Sequence, residues 1–559
     1  MLFISILLLI MVMAIPSLKK QISPLLFQRL SSIILIYAGA ISLNALYIQS
    51  IGSGIGIYSG LFHVTFISQV LDIFIFFIGA IILIARPTSA NLIINSVIKT
   101  NNTNTKIKET EETNYQNAIE YSLIIMFSTL GASLLISSSD LISMYLSIEL
   151  QSFGVYILTT LYRNSESATS AGLKYFLLGS LSSCLILLGS GIIYTYTGLT
   201  NFESIYSILS VSNNNNIIQG LILGFIFIFV GFLFKISAAP LHNWSPDVYN
   251  DSPTIVTIWL TLMPKISILI LLLEIYTHIG FFSNNTGLDL IISLTRIDSD
   301  LISNISNESN NIIKNLLLLS SLFSLIIGTV VGLAQSQIKR LLAYSTISHI
   351  GFILLALAIN TEQSIDSFLF YIIQYTITNL NTFLILLALG YIINNSILNN
   401  KGNEKDIRLI SELKGQFFSN PLIALSLTIC LLSMAGTPPL MGFFSKQFVL
   451  YSAIESGYYF ICILGILVSI ISASYYLKII RILHTESNLN KENISNTTLN
   501  VGCRKSESEI EDLDLNTTSI NTLHSLLISI LTLIILLFVL KPSILLKSTQ
   551  LLSLSLFYN

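Results

Sequence analysis

The sequence predicts an all-α polytopic membrane protein with about 14 transmembrane helices. Three observations carry that expectation. The 559 residues are 53% hydrophobic and only 10% charged, whereas a water-facing fold carries about 25% charge. The apolar residues gather in runs long enough to cross a bilayer, which takes about 20 residues each. The net charge of -2 leaves no basic excess for a phosphate backbone. Together these exclude an ordinary soluble enzyme, a disordered regulator and a nucleic-acid binder.

Candidate spans fall at 2–16, 30–48, 63–85, 119–137, 141–161, 174–197, 217–238, 254–279, 313–334, 341–360, 364–394, 419–436, 457–480 and 521–540. Short apolar segments follow Pro240 and Pro439. The connectors 98–118, 281–312, 395–416 and 482–520 are rich in Asn, Thr, Ser, Lys and Glu and read as mobile or surface segments. The organisation is then a three-helix segment with its polar loop (1–118), a five-helix unit (119–280), a polar loop (281–312), a second five-helix unit (313–484), another polar loop (485–520) and a C-terminal helix and tail (521–559).

Basic residues test the count, because cytoplasmic or matrix loops collect Lys and Arg. Twenty of the 27 lie in or beside connectors that follow odd-numbered spans, from Lys19 to Lys505. Four, Arg296, Lys314, Lys541 and Lys547, lie on the other side. A wrong span count would mix the two sets. The split puts both termini on the outer side.

Three cations remain: Lys235, Lys265 and Lys446, each inside an apolar run. A charge at mid-membrane costs about 2.5–3.5 kcal/mol on insertion scales. They either snorkel to an interface or serve function. Glu149 is the acidic counterpart, nine residues past Asp140 and so about 13 Å into its span. Glu274 lies nearer a span end and reads as interfacial. Burial disfavours a charged lysine and a neighbouring carboxylate restores it. A Glu–Lys pair that closes and opens is therefore the minimum equipment for carrying protons electrostatically.

Two spans end at prolines, in Lys235-Ile-Ser-Ala-Ala-Pro-Leu-His242 and Ala435-Gly-Thr-Pro-Pro-Leu-Met441. Proline breaks a helix, and such breaks persist at membrane depth only where protein or water satisfies the freed groups. Paired interrupted helices in two repeat halves point to an ion site. If each break closes the fourth span of a unit, the units are spans 4–8 and 9–13. With five spans each, the second is inverted relative to the first. Between the sites lie Ser345, Ser348 and His349, then Tyr371, Gln374, Tyr375, Thr378 and Asn379. These polar groups either order a file of water or bond helix to helix. His349 suits proton exchange by its titration range.

Cys184, Cys430, Cys462 and Cys503 form no CxxC pair, the six histidines no HxxxH, and Gly52-Ser53-Gly54-Ile55-Gly56 reads as a loop between spans. No nucleotide, flavin, haem, iron–sulfur or metal site is evident. Any linked redox chemistry runs in other subunits.

Three segments then carry a resemblance: FKISAAPLHNWSPDVYNDSPTIVTIWLTLMPK (234–265), AGTPPLMGFFSKQFVLYSAI (435–454) and SIELQSFGVYIL (147–158). They resemble the antiporter-like membrane-arm subunits of respiratory complex I, the NADH:ubiquinone oxidoreductases, over about 120–480. The Pro246-Asp247-Val248-Tyr249 ending is similar to the subunit 2 type. The connectors 98–118 and 482–520 are long for that family. The resemblance implies an antiporter-like fold and a proton-translocating subunit. Glu149 and Lys235 would be its ion pair, Lys265 the central lysine, Lys446 the distal lysine, and His349 a relay. It implies no cofactor in this chain, with FMN, iron–sulfur clusters and ubiquinone in other subunits. It also implies a hetero-oligomer with neighbouring membrane-arm and antiporter-like subunits and lipid, without nucleic acid, in the mitochondrial inner membrane. Abundant Asn and Ile fit an AT-rich organellar genome of fungal type. The first span begins at residue 2 without an Arg-rich leader, which fits synthesis inside the organelle. An independent cation/proton antiporter is the alternative, because its sites would look alike.

Overall fold

The computed structural model describes residues 1–15, 23–47, 54–85, 105–163, 165–211, 215–283, 299–397, 406–485 and 522–557. Among them the chain runs α1 (Leu2–Ala14), α2 (Pro24–Ala45), a hairpin of β1 (Ile55–Ile57) and β2 (Phe62–Val64), and α3 (Phe66–Ile84). Next come α4 (Thr105–Ile136), α5 (Leu141–Thr160), α6 (Glu166–Thr197), a short α7 (Phe202–Val211), α8 (Asn215–Ile236), α9 (Trp244–Asp251) and α10 (Thr254–Ser283). The second part holds α11 (Ser299–Leu333), α12 (Ile338–Ile359), α13 (Glu362–Ile397), α14 (Pro421–Ala435), α15 (Met441–Glu455), α16 (Tyr459–His484), α17 (Thr522–Leu537) and α18 (Ser543–Phe557).

Twelve of the described helices are long and apolar enough to cross a membrane, and α1 and α14 are shorter apolar helices. Each overlaps one of the expected spans. The differences lie at the edges. The backbone of α4 begins inside the expected 98–118 connector, and α11 begins inside 281–312. The start of α4 includes Lys106, Lys108, Glu109, Glu111 and Glu112, good helix formers that favour helix beyond the apolar run. The expected C-terminal tail holds a further helix, α18, beyond Pro542. Of the glycine-rich stretch, Gly52 and Ser53 lie outside the described residues, and Ile55 and Gly56 stand in β1 of the β1–β2 hairpin, a small exception to an all-helical fold. Most of the remaining connector residues, including 485–520 apart from its first residue, lie outside the described residues.

Local chemistry explains the starts and stops. The Ser23 hydroxyl accepts from Leu26 N and Pro24 opens α2, where a missing N–H costs nothing. Thr65 and Ser68 form a reciprocal capping box on α3, and Asp140 and Ser143 form one on α5. Gly198 and Gly436 end α6 and α14 in the left-handed region. Within helices, serines donate back to their own carbonyls, as Ser128 does to Ile125 O and Ser182 to Gly179 O. This back-bonding lets a serine-rich chain remain helical in an apolar medium.

The most buried helices are α10 and α12; every residue of α12 except Arg340 is buried. They cross the middle of the bundle beside α13. By contrast α6, α16 and α17 show apolar faces outward, suited to lipid or neighbouring protein. Small residues set the closest approaches. A Cβ on Gly189 of α6 would stand 2.6 Å from Gly224 O of α8, and one on Gly328 of α11 would stand 2.7 Å from Ser348 N of α12.

The connectors sort into two ends. At one, His63 N donates to Ser137 O, Leu141 N to Thr200 O, and Phe202 N to Ser139 O. The Tyr206 and His278 rings stack there 5.6 Å apart. This is the hairpin end. At the other, Ile338 N donates to Arg408 O and Ile410 N to Ser336 O, while Phe417 stacks on His484. Connectors expected on one side thus meet each other. The second end carries Lys174, Lys339, Arg340, Arg408, Lys414 and Arg481 and is called the basic end below.

Candidate functional site

Glu149 projects from the third turn of α5, whose start is fixed by the Asp140 cap. Lys235 occupies the last turn of α8. Their Nζ and Oε1 atoms lie 3.3 Å apart, with side chains 7% and 13% exposed for Lys235 and Glu149. The two side chains that the resemblance pairs are brought together. Two features fix its surroundings. The helix C-terminus offers partial negative charge to Lys235. The Trp244 indole N–H donates to Phe234 O, closing the break at 2.9 Å, and its ring stacks on Tyr175 at 4.7 Å.

Lys265 is 1% exposed on α10. Its Nζ donates to Thr346 Oγ1 of α12 at 3.2 Å and lies 5.3 Å from the Tyr249 ring centroid of α9. Next to it, Gln151 and Ser267 exchange hydrogen bonds at 2.9 and 3.0 Å and tie α5 to α10. The helix α9 therefore touches both lysine sites, through Trp244 at one end and Tyr249 at the other.

Lys446 lies on α15, and its Nζ donates to Met434 O and Ala435 O, each at 2.9 Å. These are carbonyls that the end of α14 leaves free. Gly436 makes the approach possible: its φ is +87° and an added Cβ would stand 3.1 Å from Lys446 Cδ. The Phe352 ring centroid lies 5.8 Å away. Among the described residues no carboxylate pairs with Lys265 or Lys446. Both breaks carry a lysine, but Lys235 precedes its break and Lys446 follows its own.

His349 is buried on α12 between these lysines. Its Nδ1 is 2.8 Å from the Tyr371 hydroxyl of α13, and its Nε2 is 3.4 Å from the Tyr476 hydroxyl of α16. The rest of the polar row is mixed. Ser345, Ser348 and Thr378 donate to carbonyls of their own helices, the structural alternative. Tyr375 donates to Thr261 O across to α10. The buried Gln374 Oε1 has no partner among the described residues.

The sequence did not single out a fourth buried lysine. Lys339, counted among connector cations, is 2% exposed. Its Nζ donates to Ser252 O at 3.0 Å and to Asp406 Oδ2 at 2.6 Å. Asp406 also accepts from Thr254 N at 2.9 Å and Thr254 Oγ1 at 3.0 Å. Burial works against the ionised Asp406 carboxyl, but Lys339 and the two Thr254 donors outweigh it and hold its pKa below the ordinary value. No local pattern joins Thr254 to Asp406, 152 residues apart. Asp247 likewise bridges Lys174 and Arg340 at 3.4 and 3.3 Å. Asp72 is an acid within the apolar run of α3, and its Oδ1 is buried without a partner among the described residues. Its signal is the same as that of Glu149. Glu274 is partly buried rather than at an exposed edge.

A bundle of apolar helices with two interrupted spans and buried lysines at both breaks defines a membrane protein of the ion-translocating, antiporter-like class. The chain belongs to the NADH:quinone oxidoreductase/Mrp antiporter transmembrane family, whose model matches residues 138–297 and 299–472. It is 48% identical to the NADH-ubiquinone oxidoreductase chain 2 of Rhizopus oryzae, covering 98% of both chains. It is 36% identical to the same-named chain of Marchantia polymorpha, over 66% of this chain and 68% of that one. In fold it matches a chain of respiratory complex I from Thermus thermophilus, with a TM-score of 0.67 at 21% identity, covering 98% and 99% of the two chains.

Proposed function

We propose that the chain is a proton-translocating membrane-arm subunit of a respiratory NADH:ubiquinone oxidoreductase in the mitochondrial inner membrane. Electron transfer from NADH through FMN and iron–sulfur clusters to ubiquinone belongs to other subunits. This chain would answer it with proton movement. The observation that carries the reading is the partly buried Glu149–Lys235 pair together with the buried Lys265, His349 and Lys446. The identity to chain 2 relatives supports it.

The chemistry follows from charge. An electrostatic change arriving at Glu149 opens or closes its contact with Lys235. A cation freed there repels charge at Lys265. A proton leaving Lys265 passes by His349 toward Lys446, which exchanges it with the other side. Bound protons and fixed charges alternate, and no electron enters the subunit. The basic end would face the matrix and both termini the intermembrane space. The units 119–280 and 313–484 would be inverted repeats about these groups.

The test is Lys265→Met in the assembled complex, with protons pumped per NADH as the readout. Most coupled pumping should disappear, and unchanged pumping would exclude the role. Comigration with flavin and iron–sulfur subunits separates this reading from a free cation/proton antiporter.

A further inference from the structure

Asp72 is the only charged residue of α3 and lies outside the site described above. Its helix is otherwise apolar, with a mean hydropathy of 2.5. Asp72 stands seven residues past the Thr65 cap, so about 10 Å along the axis. Residues 73–84, all uncharged, complete the helix.

The face that carries Asp72 looks into the bundle. One turn away on that face stand Ser68, Ile75 and Phe76, all of them buried. Gly79 lies two turns on, on the same face. A Cβ there would stand 3.2 Å from Leu35 of α2, 3.4 Å from Met263 of α10 and 3.5 Å from Thr129 of α4. Asp72 itself is partly buried. Its Oδ1 atom is buried with no hydrogen-bond partner among the described residues.

No described group around α3 offers Asp72 a positive charge. On its own helix the Ser68 hydroxyl gives its proton to Thr65 O at 2.9 Å, and the Gln69 amide reaches across to Ser42 O at 3.4 Å. The helices packed most closely on α3 are α2, α4, α10, α17 and α18. Of their described cations, Lys265 donates to Thr346, His524 donates to Leu384 O, and His278 stacks on Tyr206. Arg29 and Lys547 are exposed. Tyr121 and Tyr276 donate to backbone carbonyls, and Tyr37 is exposed. The acids there, Glu120 and Glu274, would oppose a further negative charge. An ionised carboxylate left unpaired in apolar surroundings costs so much that the group takes up a proton instead. The neutral acid keeps one O–H donor and its acceptors.

We propose that Asp72 is a proton-binding site within the membrane, held as the neutral acid at neutral pH and separate from the Glu149–Lys235 pair and the other lysines. It goes beyond the function proposed above and does not rest on it.

The test treats the assembled complex with dicyclohexylcarbodiimide, an apolar reagent that needs the acid form. The carboxyl proton moves to a carbodiimide nitrogen as a carboxyl oxygen bonds to the central carbon. The acyl group then shifts to nitrogen, and nothing is released. Peptide mass spectrometry reads the adduct at Asp72. Glu166, exposed in the first turn of α6, is the reference for an ordinary carboxylate. Between about pH 6 and pH 7 the adduct at Glu166 should fall about tenfold, following its acid form, while that at Asp72 should change less than about twofold. A tenfold fall at Asp72 overturns the site, and so does the absence of an adduct there. Asp72→Asn keeps the shape and neutrality of the acid and should assemble as the native chain does. Lost assembly would mark a carboxylate paired with a cation of a neighbouring subunit, and would overturn the site as well.

Discussion

Asp406→Ala removes one carboxylate that joins three parts of the chain at the basic end. The native oxygens accept from Lys339 Nζ at 2.6 Å, Thr254 N at 2.9 Å and Thr254 Oγ1 at 3.0 Å. Removing one partner of a buried ion pair costs about 3–5 kcal/mol, since the other charge stays buried. Asp406 is 34% exposed while Lys339 is 2% exposed, so water screens part of the loss and about 3 kcal/mol is expected. The Thr254 amide reports it, because Asp406 is its acceptor. Its hydrogen exchange should accelerate about 100-fold, at 1.4 kcal/mol per tenfold. The pH dependence has a definite sign. A carboxyl held below its unfolded value of about 3.9 stabilises fully above that value and loses its contribution as pH falls through the lower, folded value. The gap between native and variant chains should be constant from about pH 5 upward and close only in acid below about pH 4. Adding Lys339→Met should restore much of the loss, because no buried cation then lacks a partner. Unchanged Thr254 exchange would refute the reasoning, as would a double variant whose loss is the sum of the single ones.

Two further substitutions test the site. Glu149→Gln keeps an acceptor near Lys235 but removes the charge, weakening the pair by about 2 kcal/mol; pumping per NADH should drop while assembly on native gels is retained, and an unchanged ratio would remove Glu149 from the mechanism. Gly436→Ala places a Cβ where φ is +87° and 3.1 Å from Lys446 Cδ; a left-handed alanine costs about 1–2 kcal/mol, and the complex should unfold at lower temperature with Lys446-dependent pumping impaired.

What the sequence made legible depends on the range of the physics. Apolar length is a local property, so each span from α1 to α17 stands close to its expected place. Lys265 and Lys446 were legible as cations inside apolar runs, and Glu149 by its depth beyond Asp140. Their partners were not. Thr346 beside Lys265, the Met434 and Ala435 carbonyls around Lys446, and Asp406 on Lys339 come from residues 11 to 81 positions away, brought together by packing. Lys339 was misleading for a related reason. Charge counting treats every lysine near a helix end as water-facing, and cannot see that a distant connector closes over this one. The short helix α7 and the hairpin were hidden because each is too short to show a periodicity.

The three lysines meet the same cost in different ways, and the differences suggest an order of events. Lys235 has a carboxylate, and a charge compensated by another charge is sensitive to the distance between them. Lys446 has two backbone carbonyls at a helix end, a fixed dipole that changes only if the break itself moves. Lys265 has one hydroxyl and the face of one ring, the weakest compensation of the three. On the proposed reading, a disturbance at Glu149 would therefore act first on Lys235, and its repulsion would find least to oppose it at Lys265. Tyr249, the ring beside Lys265, belongs to α9, whose first residue, Trp244, bonds to the carbonyl next to Lys235. The same short helix that closes the first break thus bears on the most weakly held charge, so on the proposed reading movement at Lys235 would reach Lys265 by packing as well as by field.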